Sequence, residues 1–277
     1  MSNLPLVSIL IPLYNHEQFI EKLLDSIIED SYDNKEIILI NDGSKDNSNE
    51  VVKKWIDRNK NININYLSRE NKGLHNTLNE LISLSTGKYI LNMASDDYLI
   101  NNTISKRVEV LERNPNKLML ISDCIAIDDT NTTINNSTIE ELHYGNKSNY
   151  FTDEKLKNEI LYKWAIVGPS YMLNKKIYDL LGYYDPEVIL EDWDYAVRAV
   201  SENLILFFDE KVAAYRLHDN NTIKNENAAM KFSESCIKTI DKYGHKFSLK
   251  DRLRLWNKSR KLKRKVKKLK LKMDNNR

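Results

Sequence analysis

Tyr89-Ile90-Leu91-Asn92-Met93-Ala94-Ser95-Asp96-Asp97 runs from an apolar stretch into two adjacent carboxylates. The apolar part is short and nearly continuous, the pattern of a strand buried on both faces of a sheet. Adjacent acidic residues at its end are costly, because like charges repel and apolar surroundings desolvate them. A bound divalent cation that prefers hard oxygen ligands, Mg²⁺ or Mn²⁺, removes both penalties. Such an ion would in turn neutralise a diphosphate, so the pair suggests a nucleotide-diphosphate substrate. The competing reading is helix capping, with Asp97 or Asn102 capping a helix from about Thr103 to Arg113.

The same pattern recurs on the N-terminal side. Leu6-Val7-Ser8-Ile9-Leu10-Ile11 ends at Pro12 and Tyr14-Asn15, and Glu36-Ile37-Ile38-Leu39-Ile40 stops at Asn41-Asp42-Gly43-Ser44. Ile62–Leu67 alternates like a half-exposed edge strand and leads to Asn71-Lys72-Gly73. Between these runs, apolar residues fall at helical spacing: Ile20, Leu23, Leu24, Ile27; then Val51, Val52, Trp55, Ile56; then Leu74, Leu78, Leu81, Ile82. Ser48 or Asn49 is the expected cap of the second helix, and Gly87 the expected C-terminal cap of the third. Alternating strands and helices imply a parallel sheet with right-handed crossovers, covered by helices. Ligands in such sheets bind beyond the carboxyl ends of the strands. The polar clusters at 14–15, 42–44, 71–73 and 96–97 should therefore gather on one rim.

The second half is less regular. Leu118–Ser122 and Ser170–Asn174 read as strands, Glu154–Tyr162 as a helix, and Lys175–Leu181 as a helix ended by Gly182. Glu191-Asp192-Trp193-Asp194 opens a further helix, with acidic residues in a favourable first turn. Leu204–Phe208 and Val212–Leu217 predict a strand pair, followed by His218. From about Asn227 the chain reads as helical, with a break near Gly244.

Five motifs in one order, Val7–Asn15, Leu39–Asp46, Asn71-Lys72-Gly73, Asp96-Asp97 and Glu191-Asp192-Trp193, resemble a family 2 glycosyltransferase of the GT-A fold over residues 5 to about 220. The resemblance implies inverting transfer of a hexosyl or N-acetylhexosaminyl unit from a UDP-sugar to a saccharide hydroxyl, assisted by Mn²⁺ or Mg²⁺. It places Pro12 and Tyr14 beside the nucleotide base, where an aromatic face contributes on the order of 1–3 kcal/mol by stacking. It gives Asp42 the imide N–H of uracil, which thymine also offers, and brings Asn71 and Gly73 near base and ribose. It assigns Asp97 to the metal and Asp96 to the ribose or the metal, with His218 completing the coordination or meeting the diphosphate. Many members carry another Asp where this chain has Ala94. Arg216 reads as a phosphate contact or a plain salt-bridge partner. Asp192 corresponds to the catalytic base, with Glu191 and Trp193 toward the acceptor. A carboxylate within hydrogen-bond reach can take the acceptor proton as it attacks the anomeric carbon.

Two rival readings stand beside this one. A nucleotidyltransferase should show an early Gly-rich loop with Arg or Lys, and Pro12–Asn15 has no glycine. A non-catalytic nucleotide-sugar-binding module would keep the fold and need not keep Asp96, Asp97 and Asp192, all of which are present.

Charge is unevenly distributed along the 277 residues. From Arg252 onward there are thirteen Lys/Arg and one Asp, leaving 29 basic and 39 acidic groups before it. The expected division is therefore a domain over 1–225 and a basic helical extension over 226–277. Leu255, Leu262, Val266, Leu269 and Leu271 punctuate the basic run, so an amphipathic helix on an anionic membrane surface is one expectation. Non-specific nucleic-acid binding and a solvated appendage are the others, and no aromatic-rich nucleic-acid module accompanies the tail. Membrane contact would put the protein on the inner face of the cytoplasmic membrane, near lipid-linked acceptors. The widely separated Cys124 and Cys236 suit reduced thiols in the cytoplasm. Leu4–Leu13, interrupted by prolines, is too short for a signal peptide.

Overall fold

The computed structural model describes residues 4–217 and 226–275. Its first half alternates as expected: β1 (Val7–Leu13), α1 (Ile20–Glu29), β2 (Lys35–Asp42), α2 (Ser48–Arg58), β3 (Ile64–Arg69), α3 (Leu74–Leu84) and β4 (Tyr89–Asn92). A short β5 (Tyr98–Leu99) and α4 (Ile104–Arg113) follow, then β6 (Met119–Ile127), β7 (Thr133–Asn135), α5 (Asp153–Tyr162), β8 (Met172–Asn174), α6 (Ile177–Leu181), α7 (Glu191–Ser201), β9 (Ile205–Arg216), α8 (Glu226–Tyr243) and α9 (Leu249–Asn275).

The sheet order is β3-β2-β1-β4-β8-β6-β9-β5, with β7 added to β6. β3, β2, β1 and β4 are mutually parallel, as are β6 and β9, whereas β8 runs antiparallel to both β4 and β6. Val7, Ile9, Leu10, Ile11 and Leu13 of the central β1 are fully buried. Each contributes about 1.5–3 kcal/mol by leaving water. The two faces of the sheet support two cores. Ile9, Ile11 and Leu91 pack with α1 and α4, and Leu10, Ile38 and Ile90 pack with α3, α5 and α7. A mostly parallel sheet clad by helices is the fold class the sequence implied.

Four local expectations are corrected. The strand pair predicted over 204–217 is one strand, β9, in which Asp209 and Glu210 bulge out between the partners of Ser122 and Asp123 on β6. Gly87 does not cap α3, whose last turn ends at Ser85. A Cβ there would meet the backbone of Leu6 and Ser8 at 2.8 Å, so the glycine is needed for close approach to β1. Neither Ser48 nor Asn49 caps α2, which starts from Asn47 without a side-chain cap. The Ser48 hydroxyl accepts instead from the His16 N–H at 3.1 Å.

The fourth correction bears on the site. Neither Asp97 nor Asn102 caps α4. Asp30 does, its Oδ2 accepting from the N–H groups of Thr103 at 3.1 Å and Ile104 at 3.4 Å. The bland explanation of the Asp96-Asp97 pair is thereby removed. The C-terminal helices belong to the same body: Cys236, Ile240, Phe247 and Leu255 share a core cluster with Trp193 and Ile160.

Candidate active site

The loops after β1, β2, β3 and β4 meet on one rim, as the topology required. The Ser44 hydroxyl accepts from the Asn15 N–H at 3.0 Å, and Asn15 Oδ1 accepts from the Lys45 N–H at 2.7 Å. His16 Nδ1 lies 2.7 Å from the Ser95 hydroxyl, which joins the first loop to the fourth. Tyr14 stands at the tip of the first loop, 45% exposed, with its ring available for stacking. Pro12 is half-buried in register with Ile40.

Asp42 is 4% exposed and heavily engaged. Its Oδ1 is paired with the Arg69 guanidinium and accepts from the Lys72 N–H at 2.8 Å, while Oδ2 accepts from the Gly73 N–H at 3.0 Å. A carboxylate oxygen has two acceptor sites, so Oδ2 keeps one. Asn71 Oδ1 also accepts from the Gly73 N–H, at 3.0 Å. The turn is tight: a Cβ on Gly43 would stand 2.7 Å from the Asn71 nitrogen, at φ +74°. Arg69 was not anticipated as a site residue. Its guanidinium also reaches Glu80 and Thr77, both at 3.0 Å, and so fixes the β2 and β3 loops together. The signal was a lone arginine ending an edge strand on the ligand side of the sheet.

Asp96 and Asp97 differ in setting. The Asp96 side chain is 15% exposed on the rim, with its Oδ1 3.9 Å from His16 Nδ1. Asp97 is 2% exposed. Its Oδ1 accepts from the Arg216 N–H at 2.8 Å, and its Oδ2 is buried with no hydrogen-bond partner. Burial, then the Asp96 charge, push its carboxyl well above the usual carboxylate range. A cation would relieve both effects, so this pair fits a divalent metal with oxygen preference. Among the described residues no third His, Cys, Asp or Glu completes a metal cluster, and His218 lies outside them.

Arg216 is not a phosphate contact. It is 1% exposed, and its guanidinium donates to the carbonyls of Asp96 and Asp128 at 2.7 and 2.5 Å and to Asn131 Oδ1 at 2.6 Å. It clamps the backbone that carries the acidic pair.

Glu191 and Asp192 open α7, half-buried. Asp192 Oδ1 accepts from the Trp193 N–H at 2.6 Å. Burial pushes the Asp192 carboxyl up to about 6 against this hydrogen bond. Burial and the Asp192 charge push Glu191 up to about 8. The two carboxyls titrate as a coupled pair, with the Trp193 N–H favouring ionisation at Asp192. One contact places this helix start beside the rim end of α3, and a second ties the segment before it to β4. His75 Nε2, on α3, lies 3.8 Å from Glu191 Oε2, and Asn92 at the end of β4 donates to the Tyr184 hydroxyl at 2.9 Å. His75 and Tyr171 were also missed. The Tyr171 hydroxyl is buried without a partner, and its pKa is raised by burial and by the charges of Asp192 and Glu191.

Trp193, expected toward the acceptor, is 2% exposed. Its Nε1 donates to the Ile160 carbonyl at 2.8 Å and Lys258 Nζ stands 4.6 Å from its ring, so no face is left for a sugar.

The sequence profile of glycosyl transferase family 2 matches residues 8–180, which include the four rim loops. The chain belongs to that family. Among curated relatives, it is 26% identical over 221 residues to an uncharacterised glycosyltransferase of Rickettsia typhi, covering 79% of this chain and 66% of the relative. It is 36% identical over 111 residues to the uncharacterised glycosyltransferase EpsJ of Bacillus subtilis, covering 40% of this chain and 32% of the relative. The chain thus spans about two thirds or less of these relatives' own length. Two solved structures share the fold. One is the mannosyltransferase PcManGT of Pyrobaculum calidifontis in complex with GDP-Man and Mn²⁺, with a TM-score of 0.64 at 15% identity, covering 87% of this chain and 64% of that one. The other is TarS 1–349 of S. aureus in complex with UDP-GlcNAc, with a TM-score of 0.60 at 17% identity, covering 94% and 81%.

Proposed function

We propose that this family 2 member is an inverting glycosyltransferase that moves a sugar from a UDP-sugar to a saccharide hydroxyl. The observation that carries this reading is the pairing of two acidic sites on one rim. Asp97 is buried beside Asp96 with its Oδ2 unpartnered, and Glu191-Asp192 opens α7 next to His75 at the rim end of α3. Tyr14 takes the base by stacking, and Asp42, through the acceptor site left on Oδ2, takes its imide N–H, with Asn71 and Gly73 alongside. The UDP-GlcNAc complex of TarS and the GDP-Man and Mn²⁺ complex of PcManGT support a nucleotide-sugar donor and a metal.

Asp96, on the rim, would hold Mn²⁺ or Mg²⁺, with the buried Asp97 behind it adding a second carboxylate. This ordering follows the burial and reverses the one expected from sequence. When bound, Mn²⁺ or Mg²⁺ neutralises the diphosphate leaving group. Asp192 Oδ2 accepts the proton of the acceptor hydroxyl, whose oxygen attacks the anomeric carbon from the face opposite the diphosphate. Glu191 beside it shares the pair's proton and hydrogen-bonds the acceptor. Arg216 holds the Asp96-Asp97 backbone and Arg69 holds Asp42, both as positioning residues. The acceptor is a saccharide or lipid-linked saccharide of a bacterial surface glycan, such as capsule, lipooligosaccharide or O-antigen, reached on the inner face of the cytoplasmic membrane. The contact proposed there is peripheral, and the described residues contain no helix long and apolar enough to cross a membrane.

Thermal unfolding with UDP, dTDP, GDP and CDP, with and without Mn²⁺, tests the donor site. A ligand selective for the folded state raises the midpoint. A Mn²⁺-dependent rise with UDP that vanishes in Asp96→Asn is expected. No rise with any nucleotide at millimolar concentration would overturn the reading in favour of a fold kept without its ligand.

A further inference from the structure

α9 has two unlike faces. Leu255 and Val266, with Leu262 partly buried, turn inward onto the body. These are residues that gave the tail its amphipathic look in the sequence, and folding uses them for packing, not for a membrane. The outer face is different. Leu249, Leu253 and Trp256 are 76%, 65% and 54% exposed, at spacings of four and three residues that keep them in one stripe. The stripe continues through Arg260, Arg264 and Lys267, all exposed, to Leu271 at 54% exposure. Beside its apolar end a groove of ≈ 490 Å³ lies between α8 and α9, lined by Ile240, Gly244, Leu253 and Trp256.

Three large apolar side chains side by side on an exposed helix mark an interaction surface. Charge selects the partner. α9 carries thirteen Lys/Arg against Asp251 and Asp274. Lys263 and Lys270 pair with acidic side chains of α8, Asp241 at 3.0 Å and Glu234 at 2.9 Å. The acidic body would turn away from an anionic surface and leave this helix toward it. An apolar stripe that runs into a basic one is the chemistry of a helix lying in the headgroup region of an anionic bilayer. On its inner side Lys258 donates to the Leu161 carbonyl at 2.7 Å and covers Trp193, the neighbour of Asp192. One helix diameter, about 10 Å, therefore separates the outer face from the first turn of α7.

We propose that the outer face of α9 docks on anionic phospholipid, with Leu249, Leu253 and Trp256 entering the acyl boundary and Arg260, Arg264 and Lys267 meeting headgroups. The proposal rests on the membrane placement above for its choice of partner. It names the contact face and needs no turnover to be tested.

The test is co-sedimentation of the full chain with phosphatidylcholine vesicles, with and without added phosphatidylglycerol, alongside the UDP-dependent unfolding shift. Wild type should bind only the anionic vesicles. Leu253→Glu with Trp256→Glu should weaken that binding by at least about tenfold, because buried apolar area is lost. Arg260→Glu with Arg264→Glu and Lys267→Glu should abolish the preference for phosphatidylglycerol. All these side chains are exposed, so the unfolding midpoint and its shift with UDP should be unchanged in both variants, which separates failure here from failure of the donor site. Anionic binding that is insensitive to the Leu253 and Trp256 changes would overturn the proposal in favour of plain polycation attraction. A dimer that the same changes dissolve, without vesicle binding, would overturn it in favour of a second copy as occupant.

Discussion

Asp96-Asp97 lies beyond the end of a strand, whereas Glu191-Asp192 opens a helix, and the difference in backbone gives two acidic pairs opposite tasks. In the first, Asp97 is sealed beneath the rim with one oxygen unpartnered and a single backbone N–H on the other. The Arg216 charge, on a guanidinium bonded to carbonyls and Asn131, offsets this only in part, and burial with the Asp96 charge still holds the Asp97 carboxyl well above the usual range. In the second, the Trp193 N–H favours ionisation at Asp192, and burial raises both carboxyls of the coupled pair. In the proposed function the first pair would take a cation and the second would supply a base near neutral pH.

The sharpest way to break the comparison is Asp192→Asn. Transfer should fall by roughly 10²–10⁴-fold, the usual worth of a general base, with UDP affinity unchanged by calorimetry. In the wild type, log kcat/KM should rise with pH and level off above about 6, because the base must be ionised and its carboxyl stands at about 6. A level profile from pH 4.5 upward would show that Asp192 keeps an ordinary carboxyl pKa. Next in size is Arg69→Met, which leaves Asp42 without its guanidinium. UDP affinity should drop by roughly 10–100-fold whatever sugar is attached, since a charge-assisted hydrogen bond is worth about 1.5–3 kcal/mol. A drop for one sugar alone would contradict a base-binding role.

Asp97→Asn separates stability from function. The folded-state pKa of Asp97 lies above its unfolded value, so the native state binds the extra proton and loses stability as pH rises through that pKa. Without metal, the variant should unfold a few degrees higher than wild type at pH 8 and show a smaller gain at pH 5. A lower midpoint at pH 8 would mean that the buried charge is already compensated. The smallest effect is expected from Glu191→Gln. The glutamate is protonated below about 8, so an amide should keep transfer at pH 7 within about threefold and leave the acidic limb in place. A loss comparable to Asp192→Asn would exchange the two roles.

Much of this architecture was legible because β1, β2 and β4 are continuous apolar runs and α1 to α3 repeat their apolar residues at helical spacing. Parallel topology then brought the loops to one rim without further information. What stayed hidden was long-range. Nothing local reveals that Asp30 caps a helix more than seventy residues away, or that Arg216 is spent on carbonyls. Trp193 looked outward because it adjoins the acidic pair, yet helical periodicity turns it to the core. The basic tail was legible only in part: Leu255 and Val266 turn inward, and the outer stripe through Leu253, Trp256 and Leu271 emerges only when that inner face has been assigned.

The most direct test of the central claim compares Asp96→Asn and Asp192→Asn in two assays: Mn²⁺-dependent UDP binding by calorimetry, and single-turnover transfer from a UDP-sugar to a saccharide acceptor. The account predicts that Asp96→Asn loses the metal-dependent part of binding and transfer together, whereas Asp192→Asn binds like wild type and fails only to transfer. If Asp192→Asn transfers at the wild-type rate, or if Asp96→Asn retains Mn²⁺-dependent UDP binding, the division of labour between the two acidic pairs is wrong.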